Sequence, residues 1–265
     1  MPIRFCLVKS FALGVLAVAV VTLLACNIVQ PALALSQEPL LAKVRSGEDV
    51  TIAMLGTSLT DRQAWVGDLQ TWLSSESGGG TITVHNFAVG GSSSNSGLSS
   101  QTPNALAVNP DAVFIEFGIN DAADTFNVSK ATSQSNLTAM IDAFRAQEPD
   151  TTIILQTMNN VADDTGRFSN RTDLSDYYAI YQNTAAARGL TLIDHYPNWL
   201  NLHTNDLTTW DTYMRDEVHP SELGQDNVLT PQLQATLLAE VPEPSSLILL
   251  GRGEILLTHH RRGKI

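Results

Sequence analysis

Five short stretches of the chain are rich in apolar and β-branched residues, and each is bounded by polar or glycine-containing segments. They are Val50 to Leu55, Thr81 to Phe87, Ala112 to Phe117, Thr152 to Gln156 and Leu190 to Ile193. Their length and β-branched content predict strands, and unbroken apolar runs such as Phe114 to Phe117 suit strands buried on both faces. Between them the apolar spacing changes to that of a helix. Trp65, Leu69 and Leu73 recur every fourth residue, as do Met140 and Phe144 with Leu137 and Ile141 beside them, so each set lies on one helical face. Strands alternating with helices of this size predict a single flavodoxin-like three-layer α/β/α domain around a mostly parallel five-stranded sheet.

In such a sheet, ligands sit beyond the carboxyl ends of the strands. Gly56-Thr57-Ser58 follows the first predicted strand, Gly90-Gly91 the second, and Gly118-Ile119-Asn120-Asp121 the third. These three polar, glycine-containing segments are therefore expected on one rim.

The two ends differ from this body. Arg4 and Lys9 precede an apolar run from Phe11 to Ala25 and a small-residue site, Ala32-Leu33-Ala34. That order predicts a cleaved signal peptide over residues 1–34, hence an exported protein of the periplasm, cell surface or medium. A competing reading uses Leu23-Leu24-Ala25-Cys26, which resembles a lipobox with Cys26 lipidated. The run is shorter than the roughly 20 residues of a spanning helix. Both cysteines, Cys6 and Cys26, fall in this leader, so the body over residues 36–240 has neither a disulfide nor a thiolate to use.

Residues 241–265 contain Pro242-Glu243-Pro244, the apolar run Leu247 to Leu250 and a basic cluster from His259 to Lys264. This tail resembles the PEP-CTERM sorting signal of Gram-negative bacteria. The resemblance implies an exosortase-type processing enzyme as partner and transient membrane association. Arg252 and Glu254 depart from it by interrupting the apolar stretch, where a charge at mid-bilayer costs a few kcal/mol.

The formal charge of the 265-residue chain is −12, and its two ends carry the basic excess, so the body is more acidic still. Such a surface opposes nucleic acid and anionic membrane as partners.

Four separated blocks carry the candidate chemistry. Gly56-Thr57-Ser58-Leu59, Asn86 to Gly91, Gly118-Ile119-Asn120-Asp121 and Asp216-Glu217-Val218-His219-Pro220 occur in the order and form that define the SGNH (GDSL-like) hydrolases, which the body resembles over most of its length. Thr57 stands where the commonest family form has aspartate. The resemblance implies a serine esterase without cofactor or metal, acting on a small-molecule or polysaccharide ester. It also implies a shallow, loop-built site and short acyl groups, often acetyl on carbohydrate.

A serine hydroxyl needs an imidazole to accept its proton, and the imidazolium needs a carboxylate beside it. Ser58, His219 and Asp216 supply these types, and the three-residue spacing lets Asp216 reach one ring nitrogen while the other faces Ser58. By resemblance, the oxyanion is held by the backbone N–H groups of Ser58 and Gly91 and by the Asn120 amide, with Gly90 as rival to Gly91. Two other functions stay open: an acyltransferase using the same site, and a non-catalytic cell-surface or matrix protein of this fold.

Other polar and aromatic residues receive plainer expectations. His85, His195 and His203 have no metal-ligand spacing. Asp194 is expected to serve packing or hydrogen bonding, and Glu116 must be partnered or face the rim. Trp199 and Trp210 are expected in core or rim packing rather than along a sugar cleft.

Overall fold

The computed structural model describes residues 37–162 and 170–241. The leader and the Pro-Glu-Pro tail expected above lie outside the described residues.

Five strands form one fully parallel sheet: β1 (Val50–Leu55), β2 (Ile82–Asn86), β3 (Ala112–Ile115), β4 (Thr152–Thr157) and β5 (Thr191–Asp194). Their spatial order is β2-β1-β3-β4-β5, the flavodoxin-like arrangement expected from the alternation of elements. The register sets Met54 beside Asn86 and Leu55 beside Ile115, so the ends of β1, β2 and β3 lie at one level.

The strands end slightly differently from the apolar runs. Glu116 and Phe117 lie just past β3: the Glu116 N–H still bonds to the Leu55 carbonyl of β1 at 3.1 Å, but the Phe117 N–H goes to Tyr181 Oη at 2.9 Å.

Successive side chains of a strand enter the two cores alternately, so the central strands are buried on both faces. Val50, Ile52 and Met54 face one core with Phe114, Ile154 and Ile193. Ala53 and Leu55 face the other with Val113, Ile115, Ile153 and Leu155. The first core is covered by α1 (Leu40–Arg45), α2 (Ala64–Glu76), α5 (Tyr196–Asn205) and α6 (Thr230–Ala239). The second is covered by α3 (Lys130–Gln147), through Leu137, Met140, Ile141 and Phe144. Helix α4 (Leu174–Arg188) gives Tyr178 to one core and Tyr181 to the other. Each buried aliphatic side chain contributes about 1.5–3 kcal/mol. A one-residue slip of a strand would exchange its two faces, which pins the register that aligns the loops.

Two segments are wound as π-helix, Gly97–Gln101 and Gln225–Leu229. Wider turns of this kind re-aim side chains and often accompany functional sites. Here each places a buried glutamine, Gln101 or Gln225, against the loop after β1.

Candidate active site

Strand order reverses between β1 and β3, so the loops after these strands diverge and leave a crevice. Ser58 enters it from the first loop and Asn120 from the second. The turn at Thr57 is closed by its carbonyl, which accepts from the Thr60 and Asp61 N–H groups at 3.1 and 2.9 Å. Gln101 clamps Gly56 from both sides, accepting from its N–H at 2.8 Å and donating to its carbonyl at 3.0 Å. Gln63 donates to the Ser58 carbonyl at 2.5 Å and is itself held by Gln225 at 3.0 Å.

Beneath the turn lies Glu116. Its carboxylate accepts from the Thr57 N–H at 2.6 Å, the Thr57 hydroxyl at 3.0 Å and the Thr60 hydroxyl at 2.9 Å. Burial pushes its pKa up from 4.5 to about 7, and the hydrogen bonds from Thr57 and Thr60 oppose that rise. The partnered alternative expected for Glu116 is therefore the one realised. Gly56 is required by the same contact: a Cβ there would lie 2.3 Å from Glu116 Oε1.

Ser58 Oγ is 2.8 Å from His219 Nε2. His219 Nδ1 is 2.8 and 2.9 Å from the two oxygens of Asp216, and Asp216 Oδ1 also accepts from the N–H groups of Val218 and His219 at 2.9 and 2.8 Å. Partial burial pushes the Asp216 carboxyl up, but the bonds from Val218 and His219 outweigh it and hold the group below the usual carboxylate range. The His219 segment is secured from below. Buried Asn159 donates to the Val218 carbonyl at 2.7 Å, and Trp210 donates to Asn160 at 2.9 Å.

The two rival glycines differ in hydrogen bonding. The Gly90 N–H is taken by Asp61 at 3.0 Å and the Ser92 N–H by the Val89 carbonyl at 3.1 Å. The N–H groups of Ser58 and Gly91 have no acceptor among the described residues. Gly91 also has a φ of +76°, the left-handed conformation that favours glycine. Asn120 donates from Nδ2 to the Ser92 carbonyl at 2.8 Å, with one amide hydrogen left over. Asp121 holds this loop pair together, accepting from the Ser94 N–H at 2.8 Å and the Ser133 hydroxyl at 2.6 Å.

Ser58, Gly91, Asn120, Asp216 and His219 line one cavity of about 910 Å³, whose apolar wall includes Ala123, Phe126 and Val218. The segment Asp124–Phe126 after the third block contributes to the cavity wall.

The remaining candidates lie elsewhere. His85 stacks on Phe87 and His203 packs edge-on against Trp210. His195 is fully buried and pushed down to about 3 by desolvation, hence neutral. Asp194 accepts from Thr157 and Gln182, as a hydrogen-bonding residue should. Trp199 and Trp210 are buried in the core and do not line the cavity. No group of three or more metal-ligating side chains occurs among the described residues. The supporting residues Gln101, Gln225, Asn159 and Arg171 carry no motif signal, since each acts through a partner distant in sequence.

A doubly wound sheet that brings Ser–His–Asp to its switch point defines a hydrolase-type α/β protein. Residues 53–226 match the sequence model of the GDSL-like Lipase/Acylhydrolase family, and the chain belongs to that family. No curated protein sequence matches it. Among solved structures it is similar to a lipase/acylhydrolase from Enterococcus faecalis, with a TM-score of 0.59 and 22% identity over 73% of this chain and 98% of that one. It is also similar to Axe2, an acetylxylan esterase from Geobacillus stearothermophilus, with a TM-score of 0.61 and 18% identity over 73% and 96% of the two chains. TesA aligns with a TM-score of 0.55 and 24% identity over 72% and 99%. At these identities the likeness establishes the fold.

Proposed function

We propose that this protein is an exported serine esterase that hydrolyses carboxylic esters with short acyl groups through an acyl-enzyme on Ser58. The observation that carries the reading is the continuous chain from Ser58 Oγ through His219 to Asp216, opening on a cavity where the Ser58 and Gly91 N–H groups are unpaired among the described residues.

In the first half-reaction His219 takes the Ser58 proton as Oγ attacks the ester carbonyl. The charge that develops on the carbonyl oxygen meets the N–H groups of Ser58 and Gly91 and the free Asn120 amide hydrogen. His219 then returns the proton to the departing alcohol. In the second half-reaction water gives its proton to His219, attacks the acyl-serine, and the acid leaves as Ser58 is restored.

Acetylated carbohydrate is the substrate class favoured here. Exposed Asp124 and Glu217 at the cavity wall disfavour anionic alcohols, while a neutral sugar would be indifferent to them. The acetylxylan esterase among the structural neighbours points the same way. Export rests on the Arg4 to Ala34 pattern, and processing at the tail on Pro242 to Pro244.

A chain-length series of p-nitrophenyl esters, followed by acetylated polysaccharides, tests the activity. We expect the acetyl and propionyl esters to be turned over fastest, and a preference for long acyl chains would refute the short-acyl reading. Intact mass of protein from its native host should show a start at Leu35 and trimming near Pro242 to Pro244. An acylated Cys26 would instead establish a lipoprotein.

A further inference from the structure

We propose that Arg171 is the positioning residue of the oxyanion hole, orienting the Asn120 amide and setting an uncompensated positive charge behind it. This rests on the esterase reading above.

Arg171 lies on the segment leading into α4, 51 residues from Asn120 in sequence, yet its side chain ends behind the third block. It is 8% exposed. Nε donates to the Ile119 carbonyl at 2.6 Å, and Nη2 donates to Asn120 Oδ1 at 3.3 Å. Nη1 is buried without a partner. Both acceptors are neutral, a backbone carbonyl and a side-chain amide.

The first consequence is geometric. A side-chain amide can rotate by half a turn and exchange oxygen for nitrogen at little cost in an isotropic environment. Here the guanidinium has only donors, so it selects the rotamer with Oδ1 towards Arg171. Nδ2 must then face the other way, where one hydrogen goes to the Ser92 carbonyl and the second is left for the cavity. The bond to the Ile119 carbonyl fixes the backbone immediately before Asn120, so ring-like closure holds both the position and the sense of the amide.

The second consequence is electrostatic. A buried cation is normally paired, because an unpaired one is costly. Desolvation accordingly pushes the Arg171 pKa down. Among the described residues this charge has no ion-pair partner, and negative charge growing on the substrate oxygen would supply one. An interaction that is favourable in the transition state and unfavourable before it raises kcat rather than lowering KM. A guanidinium paired with a carboxylate would have no such differential effect.

The experiment compares R171Q, R171K, N120A and the N120A/R171Q double variant on p-nitrophenyl acetate, with a melting curve for each. We expect R171Q to lose about 10 to 100-fold in kcat with KM within threefold, less than the roughly 100 to 1,000-fold of one oxyanion donor lost outright. R171K should lose less, since its point charge remains while the fork that grips Ile119 and Asn120 is gone. The part of the effect that passes through Asn120 vanishes in the double variant, so adding R171Q to N120A should cost clearly less than R171Q costs in the wild type.

Unchanged kcat in folded R171Q and R171K would overturn the proposal. So would a loss confined to KM, or losses that multiply in the double variant. Should R171Q fail to fold, R171K and its double with N120A carry the same test. Failure of the esterase reading is separate and would show as an inactive wild type, or as turnover unaffected by S58A.

Discussion

The Glu116 carboxylate accepts the backbone N–H of Thr57 at 2.6 Å, reaching from the end of β3 to the underside of the residue that precedes Ser58. The support of the proposed nucleophile is thus a buried titratable group, not a hydrophobic contact. Its properties, and those of the neighbouring anchors, lead to four tests.

Glu116 should make stability fall with pH. Its folded pKa, about 7, lies above the ordinary 4.5, so the native state holds a proton that the unfolded chain releases. The associated stability is complete below the unfolded value and is lost as pH rises through the folded one. The difference corresponds to about 3 kcal/mol. Glu116→Gln keeps an acceptor for the Thr57 N–H and removes the titration. Urea unfolding at pH 5 and pH 8 should therefore show a smaller decline for the variant than for the wild type, and equal declines would exclude Glu116 as the source.

Ser58→Ala should lose at least about 1,000-fold in kcat while its melting temperature stays within about 1 °C, because a partly exposed hydroxyl contributes little packing. His219→Ala should lose a comparable factor. Asp216→Ala should be milder by about tenfold, since imidazole still acts as base without its orienting carboxylate. Equal losses for Asp216 and His219 would mean that the Val218 and His219 N–H bonds to Asp216 matter as much as its charge.

Asn159→Ala should be more damaging than its distance from the proposed triad suggests. It would leave the Val218 carbonyl without its buried donor, costing about 1–3 kcal/mol. It would also loosen the segment that carries His219. Denaturant unfolding should show the stability loss and steady-state kinetics a reduced kcat; a variant of wild-type stability would remove Asn159 from this role.

Gly56→Ala would set a methyl group 2.3 Å from Glu116 Oε1 and 2.9 Å from Thr60 Oγ1. Overpacking of this kind costs about 1–3 kcal/mol, and relief requires moving the carboxylate that holds Thr57. We expect lower stability and lower kcat together. Adding Glu116→Ala makes room for the methyl group, so part of the Gly56→Ala stability loss should then disappear.

The sheet, its parallel sense and its covering helices were legible in the chain because they rest on local periodicity. The apolar runs of β1, β3 and β4 and the fourfold spacing of α2 and α3 are repeated signals within one element. The three glycine-containing loops could be placed on one rim because the fold class dictates where strand ends lead. Strand limits were less legible: Phe117 reads as strand from its neighbours, yet its N–H goes to the Tyr181 hydroxyl rather than to the sheet.

By itself, the sequence determined the fold class and the residue types from which the proposed site is assembled, since both are written in short-range pattern and in four compact blocks. Only the tertiary structure decided which donors are free and what stands behind them. The Gly90 N–H is taken by Asp61, 29 residues away; Gly56 is clamped by Gln101 across 45; Asn120 is contacted by Arg171 across 51. Single bonds between distant residues leave no periodicity or spacing in the chain, because any sufficiently long polar side chain at the right end of the right element could make them. Folding alone selects the one that does.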